Sequence, residues 1–398
     1  MPGSVSAAMA NNGMRGFFCS ALLFCAGPAL AAPGPAVAKI TEAPFGTLAD
    51  GAKVSRFTLT NASGASVSVM PLGAAVLSIT VPDRQGQMAD VVLGYDTPGD
   101  YKTNNAPMFG LTIGRYANRI VGTDIQIGGN TYHLAAPAGR GGAPATSVMH
   151  GGPDGFSNRL WKPTRVDTRD GDGVRFTIVS PDGDQGYPGK LTASITYVWT
   201  NDNRLILDYA AVTTKPTVLN LTNHSYFNLA GAGRGDVLNQ LLKIDADFFT
   251  FALPNNNPTG EIRAVKGTPF DFSIAKPIGQ DIEADDPQMK ANRGYNQNYV
   301  LRRSPVPGEL AESAVLTDPA SGRTLTVSTT EPGLFLYTAN FISTSRTMKG
   351  GVTYPLRAGV AMEIGHYPDA PHQPHFPRTT LLPGQTFHAR TVWAFGVQ

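Results

Sequence analysis

Four short stretches of the 398-residue chain carry the side chains best placed to do chemistry. The first is Val218-Leu-Asn-Leu-Thr-Asn-His-Ser-Tyr-Phe-Asn-Leu229. Read with a period of two, Leu219, Leu221, Phe227 and Leu229 share one face, with Asn223 and Ser225 between them. Asn220, Thr222, His224, Tyr226 and Asn228 share the other. That second face is a row of neutral hydrogen-bonding groups with an imidazole at its centre and an aromatic ring beside it. A hydroxyl-rich ligand suits it, because each hydroxyl needs donors and acceptors and C–H faces accept aromatic contact. The solvent side of an ordinary antiparallel strand would show the same alternation. In the second stretch, Gly359-Val-Ala-Met-Glu-Ile364, the residues Val360, Met362 and Ile364 share one face. Glu363 lies on the opposite face with small Ala361 and Gly365. A carboxylate inside an apolar strand is costly unless it is partnered or faces a cleft.

The third stretch, Gly114-Arg-Tyr-Ala-Asn-Arg-Ile120, ends an apolar run with Asn118 and Arg119. A guanidinium fork there can bind paired hydroxyls, and a surface arginine beside a turn asparagine is the plain alternative. The fourth, Val148-Met-His-Gly-Gly152, sets His150 before two glycines, where the backbone lets a ligand come close. Turn histidines are common, so this stretch is weak taken alone.

The elements that must position these groups are strands. Val54–Thr60, Ser66–Met70 and Ala75–Val81 alternate between Gly, Asn and Pro turns, and Asp90–Gly94 closes that region. Ile125–Ile127 and Thr131–Leu134 follow, then a Gly/Pro-rich loop over 136–145. Val174–Ser180, Leu191–Thr200 and Leu205–Tyr209, punctuated by a turn over 182–189, lead into the central stretch. Leu241–Asp245 and Phe248–Phe251 come after it, and Arg390–Phe395 suits a last strand docked into a sheet. Ile282–Lys290 is the best helix candidate, with a thin apolar face. With 44 glycines, 31 prolines and no long 3.6-period pattern, the chain reads as an all-β sandwich or barrel.

Composition removes several classes of function. The 32 basic and 30 acidic residues are interspersed, so a nucleic-acid partner, which needs a basic stripe, is not expected. Arg15 precedes the apolar run Phe17–Ala26, and Ala29-Leu-Ala31 matches a small-x-small cleavage pattern. Residues 1–31 therefore read as a cleaved signal peptide, with 32–39 as a flexible leader, 40–398 as one domain, and Met14 as an alternative start. A lipoprotein signal acylated at Cys25 is the rival, and bulky Phe24 argues against it. The run is too short to span a bilayer, so export to the periplasm or medium is expected, with no membrane attachment after cleavage. The two cysteines, Cys19 and Cys25, both lie in this segment, which leaves the mature chain without thiol chemistry or Cys-based zinc sites. His366, His372 and His375 sit in a loop broken by prolines, with no ligand order, and no metal is expected there. Gly-x-Ser-x-Gly and P-loop motifs are absent, and Gly231-Ala-Gly-Arg-Gly235 lacks the strand-to-helix setting of a dinucleotide site.

Taken together and in order, "GRYANRI", "MHGG", "DGDQGYPG", "NLTNHSYFNLAG" and the Glu363 strand resemble the aldose 1-epimerase family over nearly the whole mature chain. The resemblance implies an antiparallel β-supersandwich with very little helix, acting on a free aldose with no cofactor, as a monomer or homodimer. It implies catalytic roles for His224 as acid and Glu363 as base. Asn118, Arg119, His150, Tyr226 and Asn296 would bind substrate. Three positions depart from the family pattern. Asn296 stands where an aspartate usually holds hydroxyls, Phe335 where a glutamine is common, and Gly365 closes what is elsewhere Glu-Thr-Gln. The alternatives are a non-catalytic periplasmic sugar-binding protein, a relative acting on a phosphorylated or otherwise modified sugar, and a glycoside hydrolase or lyase. A hydrolase wants two carboxylates, and only Glu363 is supported.

Overall fold

The computed structural model describes residues 38–104, 106–137, 145–342 and 344–398. The apolar N-terminal segment, the leader up to residue 37 and most of the 136–145 loop lie outside the described residues. Two large antiparallel sheets organise the rest. The nine-stranded sheet runs in the order Lys162–Thr168, Gly171–Ser180, Leu191–Trp199, Arg204–Thr213, Phe387–Val397, Arg323–Thr329, Ala311–Thr317, Leu241–Ile244 and Lys276–Pro277. The six-stranded sheet runs Tyr226–Phe227, Val360–Gly365, Gly333–Tyr337, Asn296–Leu301, Ala246–Ala252 and Pro258–Ala264. A five-stranded meander, from Lys39–Thr47 to Met88–Asp90, is the third layer. This is the all-β architecture the strand spacing predicts.

Period-two alternation explains how the layers meet. Phe176, Tyr197, Leu207, Leu325 and Trp393 from the nine-stranded sheet share one buried cluster with Phe227, Tyr299, Leu334, Leu336, Val360 and Met362 from the six-stranded sheet. Phe227 and Trp393 meet edge to face, with ring centroids 4.9 Å apart. Each such side chain, fully buried, contributes roughly 1.5–3 kcal/mol, and the ring pair about another 1 kcal/mol. Because Leu334, Leu336, Val360 and Met362 point into this core, their neighbours Phe335, Tyr337, Ala361 and Glu363 must point out of the opposite face. That opposite face carries the cleft.

The central stretch differs from the single strand its pattern suggests. Thr217–Val218 pairs with Thr380–Leu381, Thr222–Asn223 with Thr112–Ile113, and Tyr226–Phe227 with Val360–Ala361. Alternation of faces survives when an extended segment passes from one partner to the next, so the sequence looks the same in both cases. Leu219, Leu221, Phe227 and Leu229 do enter the core as the pattern requires. The helix also differs. It spans Pro287–Asn292, begins at Pro287 behind the N-cap Asp286, and leaves Ile282 to pack into the core. A second short helix, Pro98–Thr103, capped by Thr97, was not anticipated.

Gly110 anchors the relay. Its N–H donates to the His224 carbonyl at 3.0 Å, and its carbonyl accepts from the Val76 N–H at 2.9 Å and from Asn223 Nδ2 at 2.8 Å. Its φ is +65°, and an added Cβ would fall 2.0 Å from the Val76 carbonyl oxygen. Gly110→Ala is therefore expected to lose roughly 2–5 kcal/mol of stability through left-handed strain and overpacking. Denaturant unfolding measures this, and a loss within about 0.5 kcal/mol, the range of an ordinary surface change, would contradict it.

Candidate active site

Cross-strand register builds the floor of the cleft. Tyr226 lies beside Ala361, Ala361 beside Tyr337, and Tyr337 beside Asn296. In the next row Glu363 neighbours Phe335, and Phe335 neighbours Asn298. These rows form one wall of a cavity of about 460 Å³, and Asn118, Arg119, His150, His224, Tyr226, Asn296 and Glu363 all line it. The seven side chains nominated from sequence thus face one space, within the size range of small-molecule sites.

The backbone holds the two histidines firmly. His224 N–H donates to the Leu111 carbonyl at 2.9 Å. On either side of it Asn223 Oδ1 accepts from the Ser225 N–H at 3.0 Å and Oγ at 2.7 Å, locking the turn between two pairings. His150 N–H donates to the Asn118 carbonyl at 2.9 Å, and Asn118 N–H donates to His150 Nδ1 at 3.3 Å. That acceptor role leaves the His150 proton on Nε2, facing the cleft. Gly151 has φ +84°, and a Cβ there would lie 2.0 Å from the Gly114 carbonyl oxygen. Its glycine character serves the close approach of this chain's own backbone, where the sequence suggested approach of a ligand.

His224 Nε2 lies 3.3 Å from Glu363 Oε1, and both residues are nearly inaccessible, at 6% and 5% exposure. His150 packs edge-on to His224 at 5.7 Å, and the Tyr226 ring lies 5.0 Å from it. Burial pulls His224 down to about 4. Burial pushes Glu363 up to about 8, against the opposing charge of Arg119. Burial also lowers Arg119 to about 10, with Glu363 working the other way, and it takes His150 well below the usual imidazole range, helped by His224 and Arg119. The short His224–Glu363 contact would suit an ion pair, yet both shifts favour the uncharged forms. Desolvation decides: removing two charges from water costs several kcal/mol each. Burial thus favours the uncharged imidazole and the protonated carboxyl over an ion pair.

His150, His224 and Glu363 each offer a ligand atom within 4.8 Å of the others, a donor set that could also hold a transition metal. The Arg119 guanidinium already supplies positive charge beside that carboxylate.

Other sequence expectations resolve differently. Asn220 is structural: Nδ2 donates to the Ala117 and His366 carbonyls, and Oδ1 accepts from His366 N–H. Asn228 spans the Ala358 and Gly235 carbonyls in the same way. The loop histidines do not gather. His366 Nε2 faces Glu331 at 3.5 Å, His372 pairs with Asp369 at 2.6 Å, and His375 reaches the Gly260 carbonyl at 2.8 Å. Asn296 Nδ2 donates to Asn292 Oδ1 at 2.8 Å, leaving its carbonyl oxygen as the acceptor for a ligand. Tyr95, Met108, Phe341 and Arg346 line the cavity unannounced. Tyr337 could have been found, since it shares the period-two face of Phe335.

A family model described as "Aldose 1-epimerase" matches residues 55–394. The chain is 36% identical to galactose mutarotase of Sus scrofa over 359 residues, covering 90% of this chain and 99% of the relative. It is 35% identical to aldose 1-epimerase of Escherichia coli K12 over 348 residues, covering 87% and 96%. Among solved structures, galactose 1-epimerase from Lactobacillus acidophilus aligns with a TM-score of 0.77 at 26% identity, covering 90% of this chain and 99% of that one. The GalM/aldose epimerase homologue from C. elegans aligns with a TM-score of 0.75 at 28% identity over the same shares. On the family match and these full-length likenesses, the chain belongs to the aldose 1-epimerase family.

Proposed function

We propose that this enzyme, which interconverts the anomers of aldoses, does so by moving protons at the two oxygens bonded to C1, with His224 and Glu363 as the acid–base pair. One observation carries the reading: the two groups lie 3.3 Å apart at the wall of one cleft. Two oxygens on one carbon are close neighbours, so the groups that serve them must be close as well.

As sugar hydroxyls enter, the pair's proton passes to His224, and Arg119 stabilises the carboxylate left on Glu363. Glu363 then takes the proton of the C1 hydroxyl while His224 protonates the ring oxygen and the C1–O5 bond breaks. The open-chain aldehyde turns about C1–C2. On closure O5 attacks C1 and returns its proton to His224, and the carbonyl oxygen receives the proton held by Glu363. No atom is gained or lost and the pair ends as it began. Asn118, Arg119, His150, Tyr226 and Asn296 hold the remaining hydroxyls. The N-terminal apolar segment and its small-x-small site support export of the protein as part of the same reading.

General acid–base groups contribute about 10²–10⁴-fold. His224→Ala and Glu363→Ala are each expected to lower the catalysed rate at least ~100-fold. Polarimetry of freshly dissolved α-galactose and α-glucose reads this, alongside thermal unfolding to show that the fold is intact. Either variant turning over at the wild-type rate would remove its residue from the mechanism.

The pH dependence has a definite sign. The pair works only while it holds one proton. As pH falls through about 4, His224 gains a second one. As pH rises through about 8, Glu363 loses the only one. The profile of kcat/KM is expected to be flat between these macroscopic values and to fall outside them. An alkaline limb centred near an ordinary imidazole value, about 6.5, would contradict it.

A further inference from the structure

Thr222 shares the face of its segment with Asn220 and His224, and the ring-opening steps leave it without a task. The residue is 2% exposed, and its hydroxyl makes no hydrogen bond to a described residue. The second carboxyl oxygen of Glu363, Oε2, is buried and unbonded in the same way. Leaving a buried polar oxygen without a partner is costly, so two of them beside the acid–base pair require an explanation.

Contacts on either side of Thr222 bring these two oxygens to one place. At one end Asn220 Oδ1 accepts from the His366 N–H at 2.9 Å, and at the other His224 Nε2 meets Glu363 Oε1 at 3.3 Å. Thr222 stands between Asn220 and His224, so it faces the stretch from Glu363 to Gly365. A side cavity of about 10 Å³ lies there, lined by Thr222, Glu363, Gly365, Asn220, Asn118 and Phe335 among others. Gly365 adds no side chain to it, and a Cβ at that position would fall 2.6 Å from Asn220 Oδ1. Asn118, Phe335 and Glu363 line the main cleft as well, so the two spaces adjoin at the carboxyl. The side cavity has the volume that a single water needs.

We propose that one water molecule occupies this cavity, bonded to Thr222 Oγ1 and Glu363 Oε2, and that Thr222 is thereby a positioning residue for the base. The inference rests on the acid–base reading above. The last torsion of a glutamate side chain is broad and roughly two-fold, so strand packing alone leaves the carboxyl plane loosely set. Holding Oε2 from one side keeps Oε1 turned toward His224 Nε2 on the other. The two oxygens make no direct bond, and a bridging water is nearly as favourable as one. Water donates to a carboxylate and accepts from a carboxylic acid, so it serves Glu363 in both states of the cycle.

Thr222→Val keeps the shape of the side chain and removes the hydroxyl, while Thr222→Ser keeps the hydroxyl. With galactose as substrate and anomer exchange read by NMR, Thr222→Val is expected to lower kcat roughly 10–100-fold. KM is expected to stay within about two-fold, as for an interaction that acts in the transition state. Thr222→Ser is expected to restore most of kcat. A crystal structure of the unaltered protein, which needs no variant to fold, is expected to show one water within hydrogen-bond distance of both oxygens. A dry cavity, or a Thr222 hydroxyl bonded elsewhere, would overturn the proposal. So would an equal loss of kcat in Thr222→Ser, or a Thr222→Val protein that loses thermal stability while its kcat is unchanged. Glu363→Ala at the wild-type rate would sink the acid–base reading itself, whereas an inactive Glu363→Ala beside a fully active Thr222→Val would remove Thr222 alone.

Discussion

Everything in this molecule converges on a buried contact between an imidazole and a carboxyl group, 3.3 Å apart. In water each group would keep its ordinary pKa and the pair would be an ion pair or nothing. Shut away from solvent, His224 and Glu363 move in opposite directions, and the charge-separated form becomes the expensive one. A pair of that kind can give a proton at one atom and accept one at another without net change. Anomer interconversion needs that symmetry, because the reaction runs through the same steps in both directions.

The fold supplies the contact by simple means. Glu363 reaches the cleft because Val360, Met362 and Ile364 are committed to the core on the other face of its strand. His224 reaches it because its segment changes pairing partners on either side, with Gly110 and Asn223 holding the turn in between. Arg119 and His150 arrive from a separate two-stranded ladder and its following turn, joined by the mutual Asn118–His150 hydrogen bonds. Each side chain is fixed by an apolar or backbone commitment behind it, so the cleft is preorganised without its polar groups having to find one another.

How much of this could be read from the residues follows from the physics of each signal. Period-two alternation is a local consequence of strand geometry, so the all-β class and the outward faces of Glu363, His224 and Tyr226 were legible. The same locality hides the partners: alternation in Val218–Leu229 looks identical whether one strand lies alongside or three do. Asn220 and Asn228 looked like ligand contacts because a buried carbonyl acceptor is invisible in sequence. Asp286 and Pro287 carried the helix start, and an apolar reading of Ile282 pulled the expectation five residues early. Arg346 and Met108 come from irregular segments, whose conformation no periodicity records. The pKa shifts were beyond reach as well, since burial is a property of the assembled layers.

The shared proton is tested most directly by infrared difference spectroscopy of the carboxyl group, comparing the protein with Glu363→Gln across pH. A protonated-carboxyl band assigned to Glu363 should persist through neutrality and disappear as pH rises through about 8. A band that is already gone by about pH 5, as for an ordinary glutamate, would mean that Glu363 rests as a free carboxylate. The neutral pair at the centre of the account would then not exist.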